Sequence, residues 1–376
     1  MGNVDLIAID GGPCGGKTTG IVHLSDALIT AGMLPLVVPE AATLLIRGGA
    51  PPWQLARRSF QESVNRMQFA HEEVWRNAAA ELSEKFQKRA VVLCDRGLPS
   101  SIAYIDGDHP VAEFEEIVKP FGFPSAESVF ARYTGVLHFV TAADGAEEYY
   151  TLENNAARTE TPEEARALDL RTKSAWLAHP HLCEIANRMP DGTAVGFDEK
   201  MRRATASLFH MLGIPVPVEI EDKFLLRSFV PELLPVPYEK VYITQTYLTS
   251  DNKAVTERVR KRVWRDGVSY IHTAKEPARG GGRIERERFI SHHEYCTLLG
   301  RRDSRRRTLE KIRHCFLWSA QYFEVDVFTN LPRPLILCER EKTTISETTV
   351  LPPFLDVVRD VTNEREYSNS SIALVI

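Results

Sequence analysis

The chain has 376 residues, 43% hydrophobic and 26% charged, a balance that allows two folded domains and excludes a disordered or fibrous protein. Its formal net charge is -5, yet between Lys253 and Cys315 there are 18 Lys and Arg against 8 Asp and Glu, which favours an anionic ligand on one domain. The cysteines at 14, 94, 183, 296, 315 and 338 form no C-x-x-C pair, so neither a disulfide framework nor a zinc site is expected, and no apolar run approaches the roughly 18 residues that span a bilayer.

The start, MGNVDL, lacks the apolar core of a secretory leader and has Leu6 where a myristoylation signal needs Ser or Thr, so a cytoplasmic protein is expected. VDLIAID then predicts a strand and KTTGIVHLSDALITAG a helix. Between them stands G-x-x-x-x-G-K-T, as Gly11, Gly16, Lys17 and Thr18. Glycines let backbone N–H groups curl around phosphate oxygens, the lysine brings charge to the β- and γ-phosphates, and the threonine hydroxyl reaches magnesium. Gly12, Gly15 and Thr19 belong to the same expected nucleotide site, where the following helix adds its N-terminus. LPLVV predicts a second strand, after which Glu40 reads either as a base or hydroxyl ligand or as a surface residue. A long helix is expected over SFQESVNRMQFAHEEVWRNAAAELSEKF, and a strand over AVVLCD. Asp95, at that strand's end, reads as a magnesium-orienting carboxylate or a helix cap. GVLHFVT adds a further strand, and strands alternating with helices indicate an α/β domain with a mainly parallel sheet over residues 1–213. GIPVPVE, with Pro215 and Pro217, reads as a short stiff connector.

From residue 218 the pattern changes to short strands with charges at alternate positions. VEIEDKFLL places Glu219, Glu221 and Lys223 on one face and Val218, Ile220 and Phe224 on the other. TERVRKRVW repeats this with Arg258, Arg260 and Arg262, SYIHTAKEP carries Lys275, and KIRHCF aligns Lys311 with Arg313. YFEVDVF aligns Glu324 with Asp326, and LILCEREK aligns Leu337 with Glu339 and Glu341. One such strand is an ordinary solvent-facing strand, but the repetition suggests the polar lumen of a closed barrel, with a metal side and a phosphate side. Carboxylates facing such a lumen without metal are expected to repel one another. GGG at 280–282 reads as a flexible loop, and RRDSRRR at 301–307 as either a solvated surface or part of the anion site.

GGPCGGKTT, VVPEAAT, LCDRG and VLHFVTAADGAEEYYTLENNAARTETPEEARALDLRTKSAW resemble the P-loop domain related to nicotinamide riboside kinases. They most resemble the version joined to a CYTH domain in a family that includes a fly protein needed for trafficking of the photoreceptor channel TRPL. That resemblance implies a lid whose arginines reach the phosphates, with Arg158, Arg166 and Arg171 in the matching segment. E-x-E-x-K at Glu219, Glu221 and Lys223, followed by QTYL, R-x-R, the later charged pairs and DVTNEREYSNSSIA, resembles the CYTH or triphosphate tunnel family over 218–376. It implies an α+β domain built on a closed antiparallel barrel of about eight strands. Lys223, Arg258, Arg260, Lys275, Lys311 and Arg313 would hold a triphosphate or polyphosphate, and Glu219, Glu221, Asp326, Glu339 and Glu341 a magnesium or manganese ion, as Thr18 would in the first domain. Lys223, Glu40 and Asp95 are the expected catalytic groups.

Three functions follow in order of preference: a metal-dependent triphosphatase or nucleoside triphosphatase, a regulatory protein that binds ATP or GTP and takes phosphoinositide headgroups at a membrane surface, and a small-molecule kinase. Nucleic acid is not an expected partner.

Overall fold

The computed structural model describes residues 4–150, 160–214, 220–250, 252, 254–277, 283–343 and 347–375. The chain divides into two compact units, Met1–Leu212 and Gly213–Ile376.

The first unit is built on five parallel strands, β1 (Asp5–Gly11), β2 (Leu34–Val38), β3 (Ala90–Asp95), β4 (Gly135–Phe139) and β5 (Leu182–Ile185), in the order β2-β3-β1-β4-β5. Leu6, Ile7, Ala8 and Ile9 of β1 and Val91, Val92 and Leu93 of β3 are all buried. Strands covered on both faces require such unbroken apolar runs, which is why these two are plain in the sequence. Helix Arg57–Phe86 packs on β2 and β3, and helix Phe197–Met211 on β4 and β5. The chain leaves β1 toward β2 on one side, and only later fills β4 on the other. The end of β1 is therefore a switch point of strand order, where α/β sheets open a crevice.

In the second unit nine strands form one antiparallel sheet: β6 (Glu221–Ser228), β7 (Tyr238–Leu248), β8 (Thr256–Trp264), β9 (Gly267–Pro277), β10 (Arg283–Phe289), β11 (Leu309–Trp318), β12 (Gln321–Phe328), β13 (Ile336–Glu341) and β14 (Asp356–Asp360). Their order is β10-β9-β8-β7-β11-β12-β13-β6-β14. Side chains alternate as the sequence pattern requires. Phe224, Leu226, Phe316, Phe323, Val325 and Cys338 pack into one apolar cluster, while Lys223, Arg313, Glu324, Asp326 and Glu339 occupy the opposite face of the same strands. The expected closure into a barrel is not made by a ladder among the described residues: β10 and β14 are the edges and do not pair with each other. Both edges are rich in charge, RIERERF and DVVRD, which protects an open edge against pairing with another chain. No described helix is long and apolar enough to cross a membrane.

Candidate functional site

The loop after β1 is shaped by close backbone approach. A Cβ on Gly11, whose φ is 136°, would lie 2.0 Å from the carbonyl oxygen of Phe139, and one on Gly15 would lie 2.5 Å from the same atom. Gly16 then caps helix Lys17–Thr30 in a left-handed conformation, and Thr18 and Thr19 stand exposed in its first turn. Helix N-termini present backbone N–H groups that lack helical partners, the standard cradle for phosphate. Lys17 folds over the loop and donates to the carbonyls of Gly11 and Gly12, each at 2.9 Å. Burial and the neighbouring Arg96 lower its ammonium to about 8, although Asp95, Glu40 and Asp10 pull the other way.

Glu40 and Asp95 both reach this centre, in different states. Glu40 accepts from Arg96 Nε at 2.7 Å and from the Thr43 hydroxyl. Burial would raise its pKa, but Arg96 and Lys17 override this and hold the carboxyl at about 2. Asp95 is pushed up to about 6 by burial and by Glu40, and its buried Oδ1 has no hydrogen-bond partner among the described residues. Of the two, Asp95 is the group poised to take a proton or a cation; Glu40 is locked.

The lock is a residue that sequence reasoning passed over. Arg96 has a left-handed backbone, φ 70°, and its guanidinium joins Glu40 to Asp10 Oδ1 at 2.9 Å. Asp10, fully buried, also accepts from Gly11 N, Ser100 Oγ at 2.7 Å and Trp176 Nε1 at 2.6 Å. The signal was present as the arginine of LCDRG. Of the three arginines expected in a lid, two fall within the described residues. Arg166 donates to the Ala143 carbonyl at 2.6 Å and to Glu163, Arg171 is exposed on helix Pro162–Ser174, and Arg158 lies outside the described residues. That helix reaches the loop instead through Asp169, whose Oδ1 accepts from Gly12 N at 2.8 Å and Thr141 N at 3.0 Å.

In the second unit the cations and carboxylates meet on one face. Lys223 Nζ lies 3.0 Å from Glu221 and 2.9 Å from Glu339, its partner across the β6–β13 ladder. Burial opposes its charge, but Glu339 and Glu221 outweigh burial and raise its pKa. Arg313 holds Asp326 through Nε and Nη2, both at 2.7 Å, touches Glu339 at 3.0 Å, and pairs with Glu324. Lys311, 2% exposed, pairs with the fully buried Asp326. Glu324 and Glu339 face each other across β12 and β13, and burial together with Asp326 and Glu339 pushes Glu324 up to about 7 despite Arg313.

At β8 to β10, Arg258 pairs with Glu285 at 2.9 Å, Arg260 with Glu287 at 2.7 Å, and Lys275 with Glu285 at 2.9 Å. The register explains this, since Thr273 of β9 stands between Arg258 of β8 and Glu287 of β10. Glu285 and Glu287 were missed because they sit in the most basic stretch of the chain, although their alternate spacing was visible. A separate metal side and phosphate side is therefore not what forms. Every expected phosphate-binding cation already has a carboxylate partner, so the carboxylates do not face one another uncompensated.

Carboxylate oxygens suit a hard cation such as magnesium or manganese, and the raised Glu324 marks a local surplus of acid. Among the described residues, however, no three potential ligands converge on one point. Glu219 lies outside those residues, and Glu341 stands at the exposed end of β13 opposite Glu221.

The AAA domain family matches residues 6–190. In the C-terminal region, the inorganic triphosphatase of Nitrosomonas europaea is 33% identical over 162 residues, 42% of this chain and 98% of that protein. A crystal structure of an inorganic triphosphatase matches at 29% identity with a TM-score of 0.31, covering 42% of this chain and 95% of that one.

Proposed function

By its C-terminal region the chain belongs to the inorganic triphosphatase family, and from that premise we propose that its second unit binds and hydrolyses a linear triphosphate or the triphosphate of a nucleotide. The observation that supports this most is the charged face itself: Lys223, Lys311, Arg313, Arg258, Arg260 and Lys275 on one sheet, each held by a carboxylate. Arginine forks and lysine ammoniums suit phosphoryl oxygens. Lys223, held protonated by Glu339 and Glu221, acts as a fixed charge rather than as a proton donor. Asp326, Glu339, Glu221 and, outside the described residues, Glu219 are the groups proposed to hold magnesium or manganese, with Glu341 at the rim. When bound, such an ion polarises a phosphoryl oxygen and activates water.

The first unit, a P-loop domain by its match, is the proposed ATP or GTP site, with Lys17 over the phosphates and Thr18 beside the magnesium. Its proposed kinship with nicotinamide riboside kinases leaves a phosphoryl acceptor as a second reading, with Asp95, raised to about 6, as the proposed base.

Phosphate released by the full chain from tripolyphosphate, ATP and GTP, with magnesium or manganese and with chelator, tests the proposal. Ion-dependent release that Arg313→Ala abolishes and Lys17→Ala spares is expected for tripolyphosphate. No release from any of the three, with tripolyphosphate or a soluble phosphoinositide still stabilising the fold, would replace the enzyme with a binding module.

A further inference from the structure

A second lysine touches the phosphate loop. Lys200, on helix Phe197–Met211, is 4% exposed. It donates hydrogen bonds to three neutral oxygens: Gly15 O at 3.0 Å, Val140 O at 2.9 Å and Asn187 Oδ1 at 2.7 Å. Asn187 is fixed in turn, since its amide nitrogen donates to Thr141 O at 2.8 Å and Asp144 O at 2.7 Å. Among the described residues no carboxylate lies within ion-pair distance of the Lys200 ammonium.

Burying a charge against neutral dipoles alone is costly, and the cost falls when an opposite charge arrives nearby. The phosphate loop is the place where one would arrive. The carbonyl that accepts from Lys200 belongs to Gly15, two positions before Lys17, and that residue is already pressed against the end of β4. We propose that Lys200 is a positioning residue of the nucleotide site, which holds the Gly15 carbonyl away from the phosphates and sets a buried positive charge behind them. The proposal rests on reading the loop as a nucleotide site. Burial lowers the Lys200 ammonium to about 8, with Asp169 opposing and Lys17 and Arg203 adding to the fall. A purely structural peg would support every ligand alike; a charge behind the loop favours ligands in proportion to their phosphates.

The test measures magnesium-dependent binding of the mono-, di- and triphosphates of adenosine and guanosine to the full chain, for the wild type, Lys200→Met and Lys17→Met, with the ligand-free melting temperature of each. Lys200→Met should weaken triphosphate binding about ten-fold and monophosphate binding about two-fold, without lowering the ligand-free melting temperature. Equal losses along the series, unchanged affinities, or a lower ligand-free melting temperature with affinities intact would overturn the proposal. If Lys17→Met weakens binding and Lys200→Met does not, this inference alone falls; if neither does, the nucleotide reading falls with it. Lys200→Gln, also neutral but still a donor, carries the same expectations should the methionine variant not fold.

Discussion

Lys17 and Glu324 show how one environment, burial among charges, acts on opposite groups. Among the described residues Lys17 bonds to loop carbonyls and to no carboxylate, so its charge remains available to an anion. Lys17→Ala should weaken ATP or GTP binding to the first unit ten-fold or more, about 1.5 to 3 kcal/mol for a charge-assisted contact, as read by nucleotide titration of the full chain. Unchanged affinity would remove the phosphate role. Glu324 is the converse case. Because the folded chain holds its carboxyl at about 7 against an ordinary 4.5, this group favours folding below the lower value, and the advantage is lost as pH rises through the higher one. Glu324→Gln should therefore stabilise the protein at pH 8 by about 2 to 3 kcal/mol relative to its effect at pH 4.5. Urea midpoints at both pH values, in chelator, measure it; a shift that ignores pH would show that Glu324 is not held protonated.

At the scale of elements, β10 matters most, because it brings two carboxylates to three cations. Glu287 accepts from Arg260 and from the Thr273 hydroxyl, at 2.7 and 2.6 Å. Glu287→Gln should lower the ligand-free melting temperature, since Arg260 loses its charged partner, yet tighten tripolyphosphate binding several-fold in chelator. Thermal shifts with and without tripolyphosphate separate the two effects, and a loss of both would make Glu287 a ligand-binding group instead. The elements also show what a sequence displays. β1 and β3 were plain because strands buried on both faces are apolar throughout, and β8 because its arginines alternate with valines. β10 was hidden, since its glutamates are outnumbered by arginines in the same seven residues. Asp169 and Lys200 gave no signal at all: each sits on a helix of ordinary charged sequence, and only the packing of that helix brings it to Gly12 or Gly15. Closure was expected both from the repeated charged alternation and from the resemblance, yet alternation fixes which face a side chain takes but not whether the two edge strands meet.

For the whole molecule, the two units predict separable functions. Arg313→Ala should abolish phosphate release from tripolyphosphate and leave nucleotide binding by the first unit within two-fold, about the scatter expected for energetically independent sites. Lys17→Ala should do the reverse, and a variant that loses both activities would reveal coupling between the units. The charged face has a further consequence for how its ligands enter. Each of the six cations expected to hold phosphate already has a carboxylate, so an incoming polyphosphate must displace the protein's own counter-ions, and the carboxylates it releases become open to a divalent cation. The sheet is in effect an ion exchanger loaded with itself. Anion and metal should then each raise the other's affinity by the same factor, as linkage requires, and neither should bind well alone.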